Sequence, residues 1–252
     1  MSGDAELPAP FHLIGYRTIG STNDEAKRLA RIGAPHGVVV SATRQTSGRG
    51  RRGRRWESPP GNLYASLLLR PRCRAAAAAQ LGFAAAVAIA EAATKLAPGV
   101  ELRCKWPNDV LAGGKKVAGV LLESEITGAG DVPAFVVIGC GVNLAVPPTF
   151  TPYPATSLAQ EGAPIVAPSL LLAAFVRQFG ERYRIWQEQG FGPIREAWLA
   201  RAVGLGQEVE VRLERDTLRG CFIDLDEDGA LLLGGAAGRR RIAAGDVFPV
   251  AA

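Results

Sequence analysis

Gly48-Arg49-Gly50-Arg51-Arg52-Gly53-Arg54-Arg55-Trp56 is the stretch on which the reading of this chain turns: five arginines among three glycines, closed by a tryptophan. Glycine lets backbone N–H groups approach an anion closely, and arginine supplies forked donors on a fixed positive charge. Such a segment suits phosphate. Arginine–glycine runs also occur in RNA-binding tails, so the flanks decide. An expected strand over residues 37–42, containing Val38-Val39-Val40, leads in, and another over 63–70 leads out. Core strands on both sides make the segment a loop at the mouth of a folded domain.

The rest of the chain agrees with a folded enzyme-sized domain. Its 252 residues are 48% hydrophobic and 21% charged, enough for one sizeable core and a small appended domain. The formal net charge is +5, and five positive charges sit in this one loop, so no basic surface along the whole chain is implied. Cys73, Cys104, Cys140 and Cys221 are too far apart for a zinc framework or a disulfide scaffold. His12 and His36 read as structural residues. Residues 1–10 lack the apolar core of a signal peptide. Residues 75–93 are alanine-rich, interrupted by Gln80 and Glu91 and closed by Pro98-Gly99, which reads as a buried helix and not a membrane span. A reduced, soluble, cytoplasmic protein is expected.

Before the loop, Ser21-Thr22-Asn23-Asp24-Glu25 carries a helix N-terminal signature, a hydroxyl followed three residues later by an acid. After it, a strand over 100–106 stops at the turn Pro107-Asn108-Asp109. Val110-Leu111 and residues 117–122 form an expected hairpin across Gly113-Gly114-Lys115-Lys116. A strand over 135–140 runs into Gly141-Val142-Asn143, and helical patterns cover 168–189 and 193–202. From Val203 the texture changes to short alternating strands around Asp226-Glu227-Asp228-Gly229, the pattern of a small β-barrel. The expected division is a 1–20 extension, a 21–202 catalytic domain and a 203–252 C-terminal domain.

Three segments stand together: Gln45-x-x-Gly48-Arg49-Gly50-Arg51-x-Gly53-Arg54-x-Trp56, Lys105-Trp106-Pro107-Asn108-Asp109 and Gly139-x-Gly141-x-Asn143. With Ser21-Thr22-Asn23 upstream and Lys116-Val117-Ala118-Gly119 between, this order closely resembles biotin–protein ligases over residues 21–252. The resemblance implies an α+β fold: the mixed sheet flanked by helices of class II aminoacyl-tRNA synthetases and biotin ligases, with a small C-terminal SH3-like β-barrel. It also implies a two-step reaction. The biotin carboxylate attacks the α-phosphate of ATP to give biotinyl-5′-AMP and pyrophosphate. A lysine of a biotin carboxyl carrier protein (BCCP) domain then attacks that anhydride and releases AMP. Magnesium accompanies the triphosphate.

Carboxylate meeting phosphate brings anion to anion, so fixed positive charge must offset the repulsion. Arg49, Arg51 and Lys116 are the candidates, with Asp109 as a fourth catalytic residue that would either help hold Mg2+ or orient the incoming amine. Lys115 competes with Lys116, and Lys116 is preferred because it directly precedes Val-Ala-Gly, as the family lysine does. Biotin is a neutral ureido bicycle, and its pocket needs apolar walls and a few hydrogen bonds. Ser21, Thr22, Asn23 and Gln45 align with the family's biotin contacts, joined by Arg49, Gly50, Arg51, Lys116 and Gly119. Arg51, Trp56, Asn108, Lys116 and Asn143 form the expected ATP side, although Trp56 fits a core anchor or a loop support as well. One departure concerns adenine: no tryptophan lies between Asn143 and Trp186, which leaves Phe150, Tyr153 or an aliphatic wall.

Acyl-adenylates hydrolyse in water, so the loop is expected to close over the intermediate, and its like charges are expected to leave residues 46–55 disordered without ligand. Three rival readings remain at this point, one of them a nucleic-acid-binding module that uses the arginine loop. A lipoate–protein ligase shares the reaction type. A repressor using biotinyl-AMP would need a DNA-binding domain, for which the twenty residues before Ser21 are too few, so no sequence-specific DNA partner and no membrane partner are expected.

Overall fold

The computed structural model describes residues 6–127, 130–149, 151, 153–235 and 238–250. The chain starts with β1 (His12–Ile19), α1 (Thr22–Arg31), β2 (Val38–Gln45) and β3 (Leu63–Leu69), followed by α2 (Ala75–Ala79) and α3 (Leu81–Leu96). Next come β4 (Leu102–Lys105), β5 (Asp109–Ala112), β6 (Lys115–Glu125) and β7 (Phe135–Val142), then α4 (Pro168–Gln189) and α5 (Gly192–Leu199). The C-terminal part holds β8 (Glu208–Arg212), β9 (Thr217–Leu225), β10 (Leu231–Gly235), β11 (Gly238–Ile242) and β12 (Asp246–Pro249).

The first seven strands make one mixed sheet in the order β1-β2-β3-β7-β6-β5-β4. Side chains alternate between its two faces, and the burial follows. Val38, Val40, Leu68, Phe135 and Val137 pack under Ala26 and Ala30 of α1. Val39, Leu67, Leu69, Val136 and Ile138 face the opposite core with α3, α4 and α5. Alanines on α3 let it pack closely, and the apolar 75–96 stretch is a helical core element against α4, as expected from its interruptions. It is not one helix, however. Gln80 separates α2 from α3; its side chain accepts from Trp186 Nε1 at 2.9 Å and donates to the Glu227 carbonyl at 3.0 Å.

The β5–β6 hairpin turns on Gly113 and Gly114, both at positive φ (55° and 75°), the conformation a two-residue hairpin demands. Residues 12–19 correct the expected boundary. They form β1, paired in parallel with β2, so much of the proposed 1–20 extension belongs to the main sheet. The stretch 239–250, which the sequence suggests as one last strand, is two strands, β11 and β12, at opposite edges of a five-stranded antiparallel sheet, β11-β10-β9-β8-β12.

That second sheet is docked firmly. Cys104 N donates to Arg201 O (2.7 Å) and Val203 N donates to Cys104 O (2.9 Å), so the connection covers the β4 edge. Trp106, 1% exposed, donates from Nε1 to the Gly229 carbonyl at 3.0 Å. These contacts bring residues 245–248 up to the glycine–arginine loop.

Candidate functional site

A pocket of about 470 Å3 lies between the sheet, the glycine–arginine loop and the C-terminal sheet. Its chemistry changes from one end to the other.

One end is neutral and hydrogen-bonding. Ser21 caps α1, and its hydroxyl accepts from Asp24 N at 3.4 Å. Thr22 donates from N (2.9 Å) and Oγ1 (3.1 Å) to Gln45 Oε1, whose Nε2 donates to Ser58 Oγ at 3.1 Å. Ser66 Oγ stands 2.8 Å from Thr22 Oγ1 and 2.6 Å from Asn23 Oδ1, with one proton to give. Asn23 Nδ2 donates to Glu123 Oε2 at 2.7 Å. Ser21, Thr22 and Asn23 are all at least 95% buried, so this order is built in and not borrowed from solvent.

The glycines of β7 make room for that end. A β-carbon on Gly139 would stand 2.1 Å from Asn23 Oδ1, and one on Gly141 would stand 2.5–2.6 Å from three atoms of the Trp56 indole. Trp56 therefore lies against β7 and β6, inside the pocket, over Gly141 and its cross-strand partner Gly119. Its Nε1 is buried without a hydrogen-bond partner among the described residues. Trp56 thus lines the pocket and is no part of the hydrophobic core.

The loop is anchored at both ends. Arg49 donates two bonds of 2.7 Å to Asp24 and two of 3.0 and 3.1 Å to Glu123. The hydrogen bonds from Arg49 are the main reason the Asp24 carboxyl is pulled down to about 2. Arg51 donates to Asn108 Oδ1 (3.2 Å) and Gly245 O (3.3 Å) and pairs with Asp246 Oδ1 at 3.5 Å; Arg54 pairs with the same aspartate. Carboxylates from three other elements thus offset the self-repulsion that was expected to disorder residues 46–55 in the empty protein. Arg49 in this arrangement has its charge balanced by two carboxylates, whereas Arg51 points toward Asn108 and the cationic end.

At that end Asp109 is held by two lysines. Its Oδ1 is 2.6 Å from Lys116 Nζ, and its Oδ2 is 3.5 Å from Lys105 Nζ. Lys116 lies over Trp56, 5.3 Å from the ring centroid. Adjacent strand residues face opposite ways, and Lys115 pairs instead with Glu161 away from the pocket, which separates the two lysines. Asn108 Nδ2 donates to Val120 O. Asn143 is 2% exposed and its Nδ2 is spent on Thr156 O at 3.0 Å, so it shapes the wall as much as it lines it.

Lys105 was not singled out from the sequence. It is 4% exposed, donates to Val247 O at 3.3 Å, and its Nζ lies 4.6 Å and 5.2 Å from the Tyr153 and Phe248 ring centroids. Burial pushes its ammonium below the usual lysine value, with Asp109 opposing. Its place beside Trp106 in the Lys-Trp-Pro-Asn-Asp segment was the available clue. Tyr153 lines the pocket as one of the aromatic candidates; Phe150 lies outside the described residues. Among the described residues there is no cluster of three or more His, Cys, Asp or Glu side chains able to hold a metal.

Comparison with known proteins adds findings of three kinds, from families, sequence relatives and solved structures. Residues 14–143 match the biotin/lipoate A/B protein ligase family, and residues 204–248 match the biotin protein ligase C-terminal domain. The chain is 45% identical over 244 residues to a biotin–[acetyl-CoA-carboxylase] ligase of Paracoccus denitrificans, covering 90% of this chain and 96% of that protein. It is 35% identical over 241 residues to the bifunctional ligase/repressor BirA of Bacillus subtilis, covering 94% of this chain and 73% of that protein. Among solved structures, the biotin protein ligase from Aquifex aeolicus in complex with biotin and ATP superposes with a TM-score of 0.79 at 28% identity, covering 94% and 97% of the two chains.

Proposed function

The chain belongs to the biotin/lipoate A/B protein ligase family, and on that premise we infer that it joins biotin to a lysine of a protein acceptor through biotinyl-5′-AMP, at the expense of ATP. One observation carries the reading: a single pocket has a neutral, pre-ordered polar end at Thr22, Asn23 and Gln45 and a cationic end at Arg51, Lys105 and Lys116, with Trp56 between them. A ligand that fits must be uncharged at one end and anionic at the other. Biotin with its carboxylate meeting a triphosphate has that form.

In this reading the ureido ring sits among Ser21, Thr22, Asn23 and Gln45 under the Trp56 indole, and the buried Nε1 of Trp56 is a donor awaiting an acceptor. Arg51 and Lys116 offset the charge that accumulates when carboxylate attacks the α-phosphate. Asn108 orients Arg51, and Asn143 shapes the nucleotide wall. Asp109 keeps Lys116 in place for the first step. In the second, its carboxylate would orient the incoming ammonium group and help it shed a proton. Magnesium enters as MgATP, since it keeps water ligands and rides on phosphates. The acceptor is the carrier domain of a biotin-dependent carboxylase, and the cytoplasm supplies both ATP and acceptor.

Lipoate is the weaker alternative, because the C-terminal match is to biotin ligases. Biotin-dependent exchange of labelled pyrophosphate into ATP is the test. Exchange by the wild-type chain that falls sharply in Arg51→Ala and Lys116→Ala supports the assignment. Unchanged exchange in both variants, or lipoyl-AMP formation without biotinyl-AMP, overturns it.

A further inference from the structure

We propose that Glu123 is a positioning residue that ties the biotin-ring end of the pocket to the glycine–arginine loop, setting the Asn23 amide and the Arg49 anchor with one carboxylate. The proposal rests on the biotin reading of the same pocket.

Glu123 stands on β6, facing α1. Three donors converge on it: Asn23 Nδ2 at 2.7 Å, Lys27 Nζ at 3.1 Å and Arg49 Nη2 at 3.0 and 3.1 Å. An amide can present either its oxygen or its nitrogen after a half-turn. A carboxylate only accepts, so Glu123 fixes Nδ2 on its own side and turns Oδ1 to Ser66 Oγ and the Gly139 backbone. The Leu121 carbonyl also accepts from Nδ2, at 3.4 Å, so the face that a ligand meets at Asn23 is set by Glu123, the shorter and charged partner, with Leu121 in support.

The same carboxylate completes the Arg49 clamp. Arg49 opens the loop, and its fork is closed by Asp24 on one side and Glu123 on the other, with Lys27 bridging Asp24 (3.1 Å) and Glu123. Two anions and two cations balance. Burial raises the Glu123 carboxyl, but the bonds from Asn23, Lys27 and Arg49 outweigh it and hold the group below the usual glutamate value. Neutralising Glu123 leaves an uncompensated positive charge beside the ring end and frees both the amide and the loop. Ordering at Asn23 and ordering of the loop are in this way coupled through one side chain.

The test uses the full chain with Glu123→Gln. The expected result is a biotin KM raised about tenfold or more, the loss typical of a charge-assisted hydrogen bond, with kcat of pyrophosphate exchange within about threefold. Ligand-free Glu123→Gln is also expected to be nicked faster by trypsin at Arg52–Arg55. Combining it with Asn23→Ala should raise KM by less than the product of the single effects. If Glu123→Gln folds poorly, Glu123→Asp, which keeps the charge but retracts it, should shift KM and nicking in the same direction. Unchanged KM, a raised KM without faster nicking, or a purely multiplicative double variant overturns the proposal. A wild-type chain that forms no biotinyl-AMP overturns the functional reading instead, so the two failures are distinct.

Discussion

Gly141→Ala is the sharpest perturbation that the pocket offers. The glycine is not in the left-handed region, so alanine brings no backbone strain, and only space matters. Its new methyl would stand 2.5 Å from Trp56 Cε2 and 2.6 Å from Cζ2 and Nε1. Carbon contacts are comfortable at about 3.5–4.0 Å, so the indole must retreat by about 1 Å. It cannot slide freely, because Trp56 N donates to Gly48 O at 2.9 Å and Lys116 covers the ring. Overpacking of this kind costs about 1–3 kcal/mol. The loop is a surface element, so the cost falls on closure and not on the core. Biotin affinity by titration calorimetry should weaken by about 5- to 150-fold while the melting temperature of the empty protein changes little. Adding Trp56→Leu should recover part of the loss caused by the methyl, since the atoms it strikes are then gone. The reasoning fails if Gly141→Ala binds biotin as wild type does, or if Trp56→Leu gives no relief.

Three further outcomes are expected. Lys116→Ala should lower biotin-dependent pyrophosphate exchange at least about a hundredfold, as loss of a charge-stabilising donor does, while Lys115→Ala, outside the pocket, stays within about twofold. The Asp24 carboxyl is depressed to about 2 from its ordinary 3.8, so its anchoring of Arg49 is fully present above about pH 4 and lost as pH falls toward 2; Asp24→Asn should flatten that part of an acid stability curve, and an unchanged curve counts against the clamp. Cys104 and Cys140 are buried, with the Cys104 thiol pushed up to about 12 and that of Cys140 higher still. Alkylation of the native protein should therefore modify Cys73 and Cys221 alone, as read by peptide mass spectrometry.

Local chemistry made much of this fold legible. A glycine pair between apolar runs located the β5–β6 turn, a capping hydroxyl located α1, and uninterrupted apolar residues located β3. The pocket was legible where the motif residues sit on those elements: Thr22, Asn23, Gln45, Lys116 and Asp109 do come together. β1 escaped because the edge strand is exposed at alternate and adjacent positions alike, so HLIGYRTI has no clean period. The break at Gln80 carries no glycine or proline to mark it. Lys105 and Glu123 escaped for another reason. Each looks like an ordinary charged strand residue until partners distant along the chain arrive: Val247 and Phe248 for the first, Asn23 and Arg49 for the second. The same holds for Asp246, which reaches the loop only because the C-terminal sheet is docked on Trp106 and α3.

The central claim is that this pocket joins a neutral ring acid to AMP and hands it to a lysine. The direct measurement is intact-mass spectrometry of a carboxylase carrier domain incubated with the purified chain, biotin and MgATP. The account predicts one added biotinyl group on a single carrier lysine, dependent on ATP and abolished when that lysine is replaced by arginine. A carrier left at its original mass, with no biotinyl-AMP found in the reaction, contradicts it.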